Sequence, residues 1–322
     1  MIALLLFIGY FLIALISGAA ISYPVYEFLS NWMELDFERV ANRCVLIAAI
    51  LFFVALCKKI NFSAGCDLGY STDKRQFYTD IVKGIGLGVL IMSTIAVGLL
   101  ITNNRIIDTI WGLSALNIIS ILASGLISGL MIALLEETLF RGAMLSAIRR
   151  ESTAFIAITV TSFFYALVHF IQPEIQLDSN SLDWTSGFVL LKYALANLAN
   201  VSQIADSLIA LFLAGVLLSI VRLRTNRIAI CIGIHAGWVL VIQVTKRITD
   251  SNSDSEFAFL TGSYDNVTGY LAAVFLIFII VLYLNRTIQE PASNHKQCTR
   301  ERHTQEKAHP GKSSSGHWPS PG

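Results

Sequence analysis

The chain has 322 residues, of which 55% are hydrophobic and only 14% are charged. Soluble domains carry about 25% charged residues, so this composition predicts an integral membrane protein and argues against an ordinary soluble enzyme. The formal net charge of +1 gives no sign of a nucleic acid partner, and none is expected. The five cysteines are scattered without CxxC spacing, so they imply neither a zinc knuckle nor a disulfide framework.

Apolar runs long enough to cross a bilayer core of about 30 Å recur along the chain. The first has no Lys or Arg before it and is long, so an uncleaved anchor is expected. The sequence therefore predicts an all-α, polytopic transmembrane helix bundle over residues 1–287. A polar tail at 288–322, without apolar periodicity, is expected to be disordered. The eight predicted spans cover residues 2–22, 41–57, 78–102, 116–138, 153–171, 204–221, 227–244 and 266–285.

Basic residues are concentrated in alternate loops, and the loops between them are poorer in Lys and Arg. Because Lys and Arg favour the cytoplasmic side, both termini are expected to be cytoplasmic, with the bacterial inner membrane as the expected location. The basic residues of the rich loops are Lys58, Lys59, Lys74, Arg75, Arg149, Arg150, Arg222, Arg224 and Arg227.

Two adjacent glutamates, Glu136 and Glu137, end one of the hydrophobic runs. A carboxylate at that depth costs several kcal/mol unless it is paired, wetted or protonated. Two histidines, His169 and His235, also fall within predicted spans, and Arg141 follows the glutamates by one helical turn. These five residues predict a functional site inside the membrane.

The depths of these residues along their helices are compatible with one site. If the chain turns near Arg150-Glu151, Glu136 lies about 14 residues before the turn and His169 about 18 residues after it. At about 1.5 Å per residue, the two differ in depth by only about one helical turn. His235 lies eight residues beyond Arg227, also well inside its span.

The two glutamates are expected to have different roles. Glu137 and Arg141 form an i,i+4 pair with the acid first, which is the favourable order. Glu136 projects about 100° away from that pair. An acid paired with arginine is a poor proton acceptor, whereas an unpaired acid in an apolar wall is a better one. Glu136 is therefore predicted to be the general base and Glu137–Arg141 a structural clamp.

The sequence also allows some of these residues to lie at the membrane–water interface. A Glu–Arg pair near a helix end is also typical of a snorkelling contact, and His169 could lie at the membrane surface. His235 lies in mid-span, where histidine is uncommon. The sequence contains no HExxH, GxSxG or GxxxxGK[ST] pattern, which argues against a zincin, a serine hydrolase elbow and ATP-driven transport.

Three short motifs follow one another in a familiar order: Glu136-Glu137-x-x-x-Arg141, Tyr165-x-x-x-His169, and a later span with His235 at its centre. This pattern resembles the CAAX protease and bacteriocin-processing family, also called Abi, to which the Ras-converting CAAX endopeptidase is related. The resemblance covers roughly residues 118–245. It implies an intramembrane endopeptidase acting on a membrane-associated protein or prepeptide within the lipid bilayer.

The resemblance also implies a role for each matched residue. Glu136 would activate water, His169 would assist it, and His235 would stabilise the oxyanion, with Glu137 and Arg141 holding the site together. Two positions depart from the family pattern: Tyr165 stands where Phe is usual, and Val239 stands where Asn or Asp is usual, four residues after the histidine. Gln243 or a backbone N–H could replace the missing donor.

Alternatives to this metal-free endopeptidase remain. In a zinc-dependent version, Glu136, His169 and His235 would be the ligands; otherwise no cofactor is expected. A non-catalytic descendant would bind peptides as an immunity protein, chaperone or scaffold. A proton-coupled transporter would use Glu136 as a relay.

Overall fold

The computed structural model describes residues 2–59, 62, 65, 67–71, 73–108, 114–173, 175–262 and 264–287. The tail predicted at 288–322 lies outside these residues. Within the described residues the chain forms ten α-helices, one π-helical segment at Thr138–Met144 and two three-residue strands. The helices are α1 (Ile2–Ser30), α2 (Phe37–Lys59), α3 (Lys74–Ile101), α4 (Ala115–Glu137), α5 (Leu145–Glu151), α6 (Ala154–Val168), α7 (Ser186–Asn197), α8 (Val201–Thr225), α9 (Ala229–Ile248) and α10 (Tyr270–Thr287).

Every predicted span corresponds to a helix, which confirms the all-α membrane fold. Among the described residues, six helical segments are long and apolar enough to cross a membrane, and α4, the π-helical segment and α5 together form one of them. The spans predicted at 153–171 and 266–285 are the shorter apolar helices α6 and α10. The short run at 227–244 is a regular helix, α9, in which most residues are buried. Helices are expected here because an α-helix satisfies its own backbone hydrogen bonds in lipid.

Helix α9 is packed between α3 and α4, and glycines allow the close approach on both sides. Gly84 of α3 lies against Gly233 of α9, where an added Cβ would come within 2.8 Å of the facing Cα. A Cβ on Gly88 would lie 2.1 Å from the backbone oxygen of Ile234. On the other side, a Cβ on Gly129 of α4 would lie 2.8 Å from the backbone oxygen of Ala236. Small residues drive helix association in membranes because they let backbones meet.

The start of α9 is fixed by the chain reversal after α8. Asn226 ends α8 in the left-handed conformation, with φ 55°, and its backbone N–H donates to the carbonyl of Arg222. Arg227 then forms an ion pair with Asp80 of α3 at 2.9 Å. These contacts set how far along α3 the helix α9 begins, and therefore the depth of His235.

The connections lie at two ends of the bundle. At one end, the backbone N–H of Ala3 donates to the Glu151 carboxylate at 3.2 Å, and Arg150 pairs with Asp67 from the α2–α3 connection. At the other end, strands β1 (Arg105–Ile107) and β2 (Thr249–Ser251) pair in antiparallel register. The pairing joins the end of α3 to the end of α9.

Two features of this architecture were not predicted from the sequence: the helix α7 between α6 and α8, and the β1–β2 ribbon. The described residues up to Leu282 form one compact unit. The domain boundary predicted after residue 287 stays a prediction.

The tight contact between α3 and α9 gives a testable prediction. Gly88→Ala is expected to destabilise the protein by about 1–3 kcal/mol, because the added methyl group overpacks a backbone contact. Gly86→Ala is the matched control on the same helix, since nothing lies within 4 Å of its added Cβ. The control is expected to be neutral or stabilising by up to about 1 kcal/mol through helix propensity. Thermal unfolding in detergent measures both variants, and equal stability of the two would contradict the packing described here.

Candidate active site

The two glutamates lie where the geometry of their helix changes. Glu137 is the last residue of α4, and the π-helical segment begins at Thr138. The wider helical turn is closed by the backbone N–H of Leu145, which donates to the carbonyl of Phe140, five residues earlier. The sequence predicts a regular α-helix here, and nothing in the local residue pattern indicates the wider turn. Such π segments are frequent at functional sites.

Glu137 is a fully buried carboxylate that joins two helices. Its Oε1 accepts a hydrogen bond from Arg141 Nη1 at 3.0 Å, and both side chains are 0% exposed. The same oxygen lies 2.9 Å from His235 Nδ1 of α9. The predicted Glu137–Arg141 pair is therefore present, and it also holds His235, which was not predicted. Glu137 thus connects the α4 end to α9.

Arg141 is held by an aromatic face as well as by the carboxylate. Its guanidinium carbon lies 4.0 Å from the ring centroid of Tyr165, in cation–π geometry. The Tyr165 ring is buried and lies 4.6 Å from the His169 ring, measured between centroids. The departure from Phe at position 165 therefore leaves a ring in place that packs between the arginine and the histidine.

Glu136 lies beside both histidines. Its Oε2 is 3.7 Å from His169 Nε2 and 3.9 Å from His235 Nε2. The side chain is 29% exposed, yet this oxygen is buried and has no hydrogen-bond partner among the described residues. The structure therefore brings Glu136, His169 and His235 together around one carboxylate oxygen.

The second nitrogen of each histidine indicates its protonation pattern. His169 Nδ1 lies 2.7 Å from the carbonyl oxygen of Tyr165, and because a carbonyl only accepts, this nitrogen carries a proton. His235 Nδ1 faces the Glu137 carboxylate, which favours a proton there too. In both rings Nε2 is left to face Glu136. A neutral ring presents a lone pair from this nitrogen, and a protonated ring presents a donor.

Val239, which lacks the donor, and Gln243, which was suggested to replace it, both make other contacts. A Cβ on Gly129 would lie 3.3 Å from Val239 Cβ, so Val239 packs on α4. Gln243 donates its side-chain N–H to Ser128 Oγ at 2.8 Å. It lies two further helical turns along α9 from His235, about 12 Å away. The suggestion that Gln243 replaces the donor finds no support in this geometry.

The residues that were missed come from outside the matched motifs. Tyr264, in the connection between α9 and α10, has its ring centroid 5.9 Å from that of His169. Trp238 lies one turn after His235 in sequence, with ring centroids 6.5 Å apart, and its indole N–H is buried without a partner among the described residues. The indole could be suspected from its position beside His235, whereas no sequence signal indicates Tyr264.

The distances between these atoms decide whether zinc fits the site. A tetrahedral site with bonds of about 2.0–2.1 Å places its ligand atoms about 3.3 Å apart. Glu136 Oε2 is farther than that from each histidine nitrogen, at 3.7 and 3.9 Å. Across the described part of the chain, no group of three or more His, Cys, Asp or Glu side chains is arranged to hold a metal ion. As they stand, these residues do not fit a zinc site.

The buried ion pair gives a stability prediction. Arg141→Ala is expected to destabilise the protein by about 3–5 kcal/mol, because Glu137 loses its cationic partner inside the bundle. Arg39→Ala is the control, since Arg39 pairs with Asp36 at the surface, with the two side chains 73% and 56% exposed. The control should cost about 0–1 kcal/mol. Denaturant unfolding in detergent compares the two, and an equally mild effect of both would contradict the clamp role.

Comparison with known proteins gave a match to one family model. Residues 118–241 match the family model described as "Rce1-like: Type II CAAX prenyl endopeptidase Rce1-like", and all five predicted site residues fall within the match. No curated protein and no solved structure gave a match. The family match supports intramembrane endopeptidase activity in general, with a protein or peptide as substrate. Residues 118–241 are therefore similar to the Rce1-like CAAX endopeptidase family, as the sequence resemblance predicted.

Proposed function

We propose that this chain is a glutamate-dependent intramembrane endopeptidase that hydrolyses a peptide bond of a membrane-associated protein or prepeptide. One observation carries the proposal. The buried Oε2 of Glu136 lies between two imidazole nitrogens with no hydrogen-bond partner among the described residues. A carboxylate in this position is available to take a proton from a reacting water.

The separations around Glu136 suit a bound water molecule. At 3.7 and 3.9 Å, the two nitrogen–oxygen distances exceed a direct hydrogen bond. One water, about 2.8 Å from each group, can bridge atoms so spaced. In the proposal, this water attacks the substrate carbonyl while Glu136 takes its proton and His169 orients it.

The remaining steps follow from the same groups. The water oxygen bonds to the carbonyl carbon, and the carbonyl oxygen becomes an oxyanion. His235, protonated and held by Glu137 through Nδ1, donates from Nε2 to that oxygen. The proton on Glu136 then passes to the nitrogen of the leaving amine as the C–N bond breaks. Arg141 acts through Glu137, by keeping this carboxylate charged and in place.

The membrane setting of the proposal follows from the surroundings of the site. The apolar side chains of α4 before Glu136, such as Met131, Leu134 and Leu135, are exposed in the bundle and suited to contact with lipid. A substrate anchored in the bilayer would reach Glu136 from this layer. Because the matched family is described by CAAX prenyl substrates, a peptide ending in a farnesylated CAAX sequence is the first probe. The cytoplasmic placement of both termini stays a prediction.

A second candidate function is favoured by Val239. Its apolar side chain stands where the family has Asn or Asp and packs on α4. Loss of one oxyanion donor costs about 10²–10³ in rate. A protein that binds peptides in the same site without cleaving them would be consistent with the loss of this oxyanion donor. Cleavage that depends on Glu136 separates the two candidates.

Glu136→Gln is expected to abolish cleavage of a farnesylated CAAX peptide, because it removes the base while keeping side-chain volume. The variant should keep its thermal unfolding temperature, since Glu136 is 29% exposed and forms no direct hydrogen bond in the described residues. The products are measured by mass spectrometry after reconstitution into liposomes. Glu27→Gln, far along the chain on α1, is the control and should cleave normally. Full activity of Glu136→Gln would disprove the mechanism, and absence of cleavage by the wild-type protein would favour the binding function.

Chelation tests the metal-free form of the proposal. Exhaustive treatment with 1,10-phenanthroline followed by dialysis is expected to leave the cleavage rate unchanged, because the three candidate ligands are spaced too widely for zinc. The rate is measured before treatment, after treatment and after addition of zinc. A loss of activity that zinc restores would instead make Glu136, His169 and His235 metal ligands.

A further inference from the structure

The proposed endopeptidase needs more hydrogen-bond donors than its matched motifs supply. An oxyanion site works through preorganised donors about 2.7–3.1 Å from the developing charge. His235 can supply one. Val239 has no donor in its side chain, and Gln243 is bonded to Ser128. The following inference rests on the proposed function and concerns the source of the second donor.

Tyr264 brings a hydroxyl group to the edge of this site. Its ring meets the His169 ring edge-on, with centroids 5.9 Å apart and an interplanar angle of 74°. The Phe170 ring packs against it at 5.5 Å. The tyrosine is 37% exposed, so the ring is packed on one side and open on another. A substrate lying against His169 would therefore meet the phenol.

The hydroxyl group of Tyr264 accepts a hydrogen bond, and its own proton takes no part in that bond. Gln172 Nε2 donates to the phenol oxygen at 3.4 Å, which leaves the O–H free to donate elsewhere. Burial of the ring, followed by the negative charges of Asp265 and Glu136, raises the pKa of Tyr264 to about 12. The group therefore keeps its proton at neutral pH.

The connection that carries Tyr264 is held in place from several sides. The backbone N–H of Tyr264 donates to Ser207 Oγ of α8 at 3.2 Å. The next residue, Asp265, accepts from the backbone N–H groups of Val267 and Thr268 at 2.9 and 2.6 Å. A Cβ on Gly262 would lie 1.9 Å from the backbone oxygen of Thr268, so this turn admits no side chain there. Such a fixed turn supplies the preorganisation that a donor needs.

A buried arginine ties the same turn to the β1–β2 ribbon. Arg105 of β1 donates from Nη1 to the backbone oxygen of Asn266 at 3.0 Å. Its Nε donates to Thr249 Oγ1 of β2 at 2.5 Å. Asn266 itself is left-handed, with φ 58°. The ribbon at the end of α9 therefore sets the position of Tyr264 relative to the helix that carries His235.

We propose that the Tyr264 hydroxyl is the second oxyanion donor of this site and takes the place of the Asn or Asp side chain that the third motif lacks at Val239. In the reaction, the phenol O–H donates a hydrogen bond to the carbonyl oxygen as negative charge develops on it. The proton stays on the phenol throughout, so the step adds no change to the proton balance described above.

The test is Tyr264→Phe, which removes the hydroxyl and keeps the ring that packs on His169 and Phe170. With the farnesylated CAAX peptide in liposomes, kcat is expected to fall by about 10²–10³ while KM changes little, because the bond forms only in the transition state. Tyr270→Phe, at the start of α10 and similarly exposed at 38%, is the matched control and should keep the wild-type kcat. Unchanged kcat in Tyr264→Phe would overturn the proposal.

A second measurement separates a donor from a packing role. A peptide phosphinate that mimics the tetrahedral intermediate should bind Tyr264→Phe more weakly than wild type, by the same factor as the loss in kcat/KM. A fall in kcat with unchanged phosphinate affinity would mean that Tyr264 acts through His169 or the turn, and would also overturn the proposal. Glu136→Gln distinguishes a failure of the donor proposal from a failure of the proposed function. If Glu136→Gln abolishes cleavage while Tyr264→Phe does not, the endopeptidase function is supported and the donor role of Tyr264 is contradicted. No cleavage by the wild type contradicts both.

Discussion

The site depends on the carboxylate of Glu137, which is fully buried and has cationic or donor groups on two sides. Its Oε1 meets Arg141 at 3.0 Å along its own helix and His235 at 2.9 Å across the bundle. A buried charge is tolerated only when such partners are in place. Since moving either partner would leave the buried carboxylate with only one of its two contacts, this interaction constrains the end of α4, the ring of His235 and the spacing between α4 and α9 together. It explains why the adjacent Glu136 is left free to face the histidines.

The close packing of α9 makes that interaction possible. Side chains as short as those of glutamate and histidine meet only when the helix backbones approach closely, and Gly129 of α4 and Gly233 of α9 permit this. In lipid, apolar surface gains little from leaving the solvent, so close van der Waals contact and buried polar bonds provide the association energy. Glycine contacts therefore determine how closely α9 approaches α4, and the buried Glu137 carboxylate determines the register of the two helices.

Sequence patterns predicted the parts of this protein that follow from local periodicity. Hydropathy predicted a helix at each of the eight positions, six of which belong to segments long and apolar enough to cross a membrane among the described residues, and the i,i+4 rule predicted the pair of Glu137 with Arg141. Counting residues from a turn predicted that Glu136 and His169 could meet, and they lie 3.7 Å apart. The π-helical segment, the bond from His235 to Glu137 and the approach of Tyr264 were not predictable. Each depends on tertiary contacts between residues far apart in the chain, and a wider helical turn leaves no mark in a hydrophobic pattern.

Most of the site residues lie on helices, whereas Tyr264 lies in the connection between α9 and α10. This difference explains how the third motif can have Val239 where the family has Asn or Asp. Glu136, His169 and His235 are set by helices whose spacing is constrained by a buried charge, so these side chains have little freedom to move. A donor to the oxyanion is different, because only its hydroxyl or amide has to reach the carbonyl oxygen. Such a group can come from any segment that passes the open side of the site, and the turn held by Arg105 and Ser207 brings Tyr264 there. With the Tyr264 phenol on that side, the residue at position 239 does not have to supply a hydrogen-bond donor. It can instead pack on α4, as Val239 does in this structure.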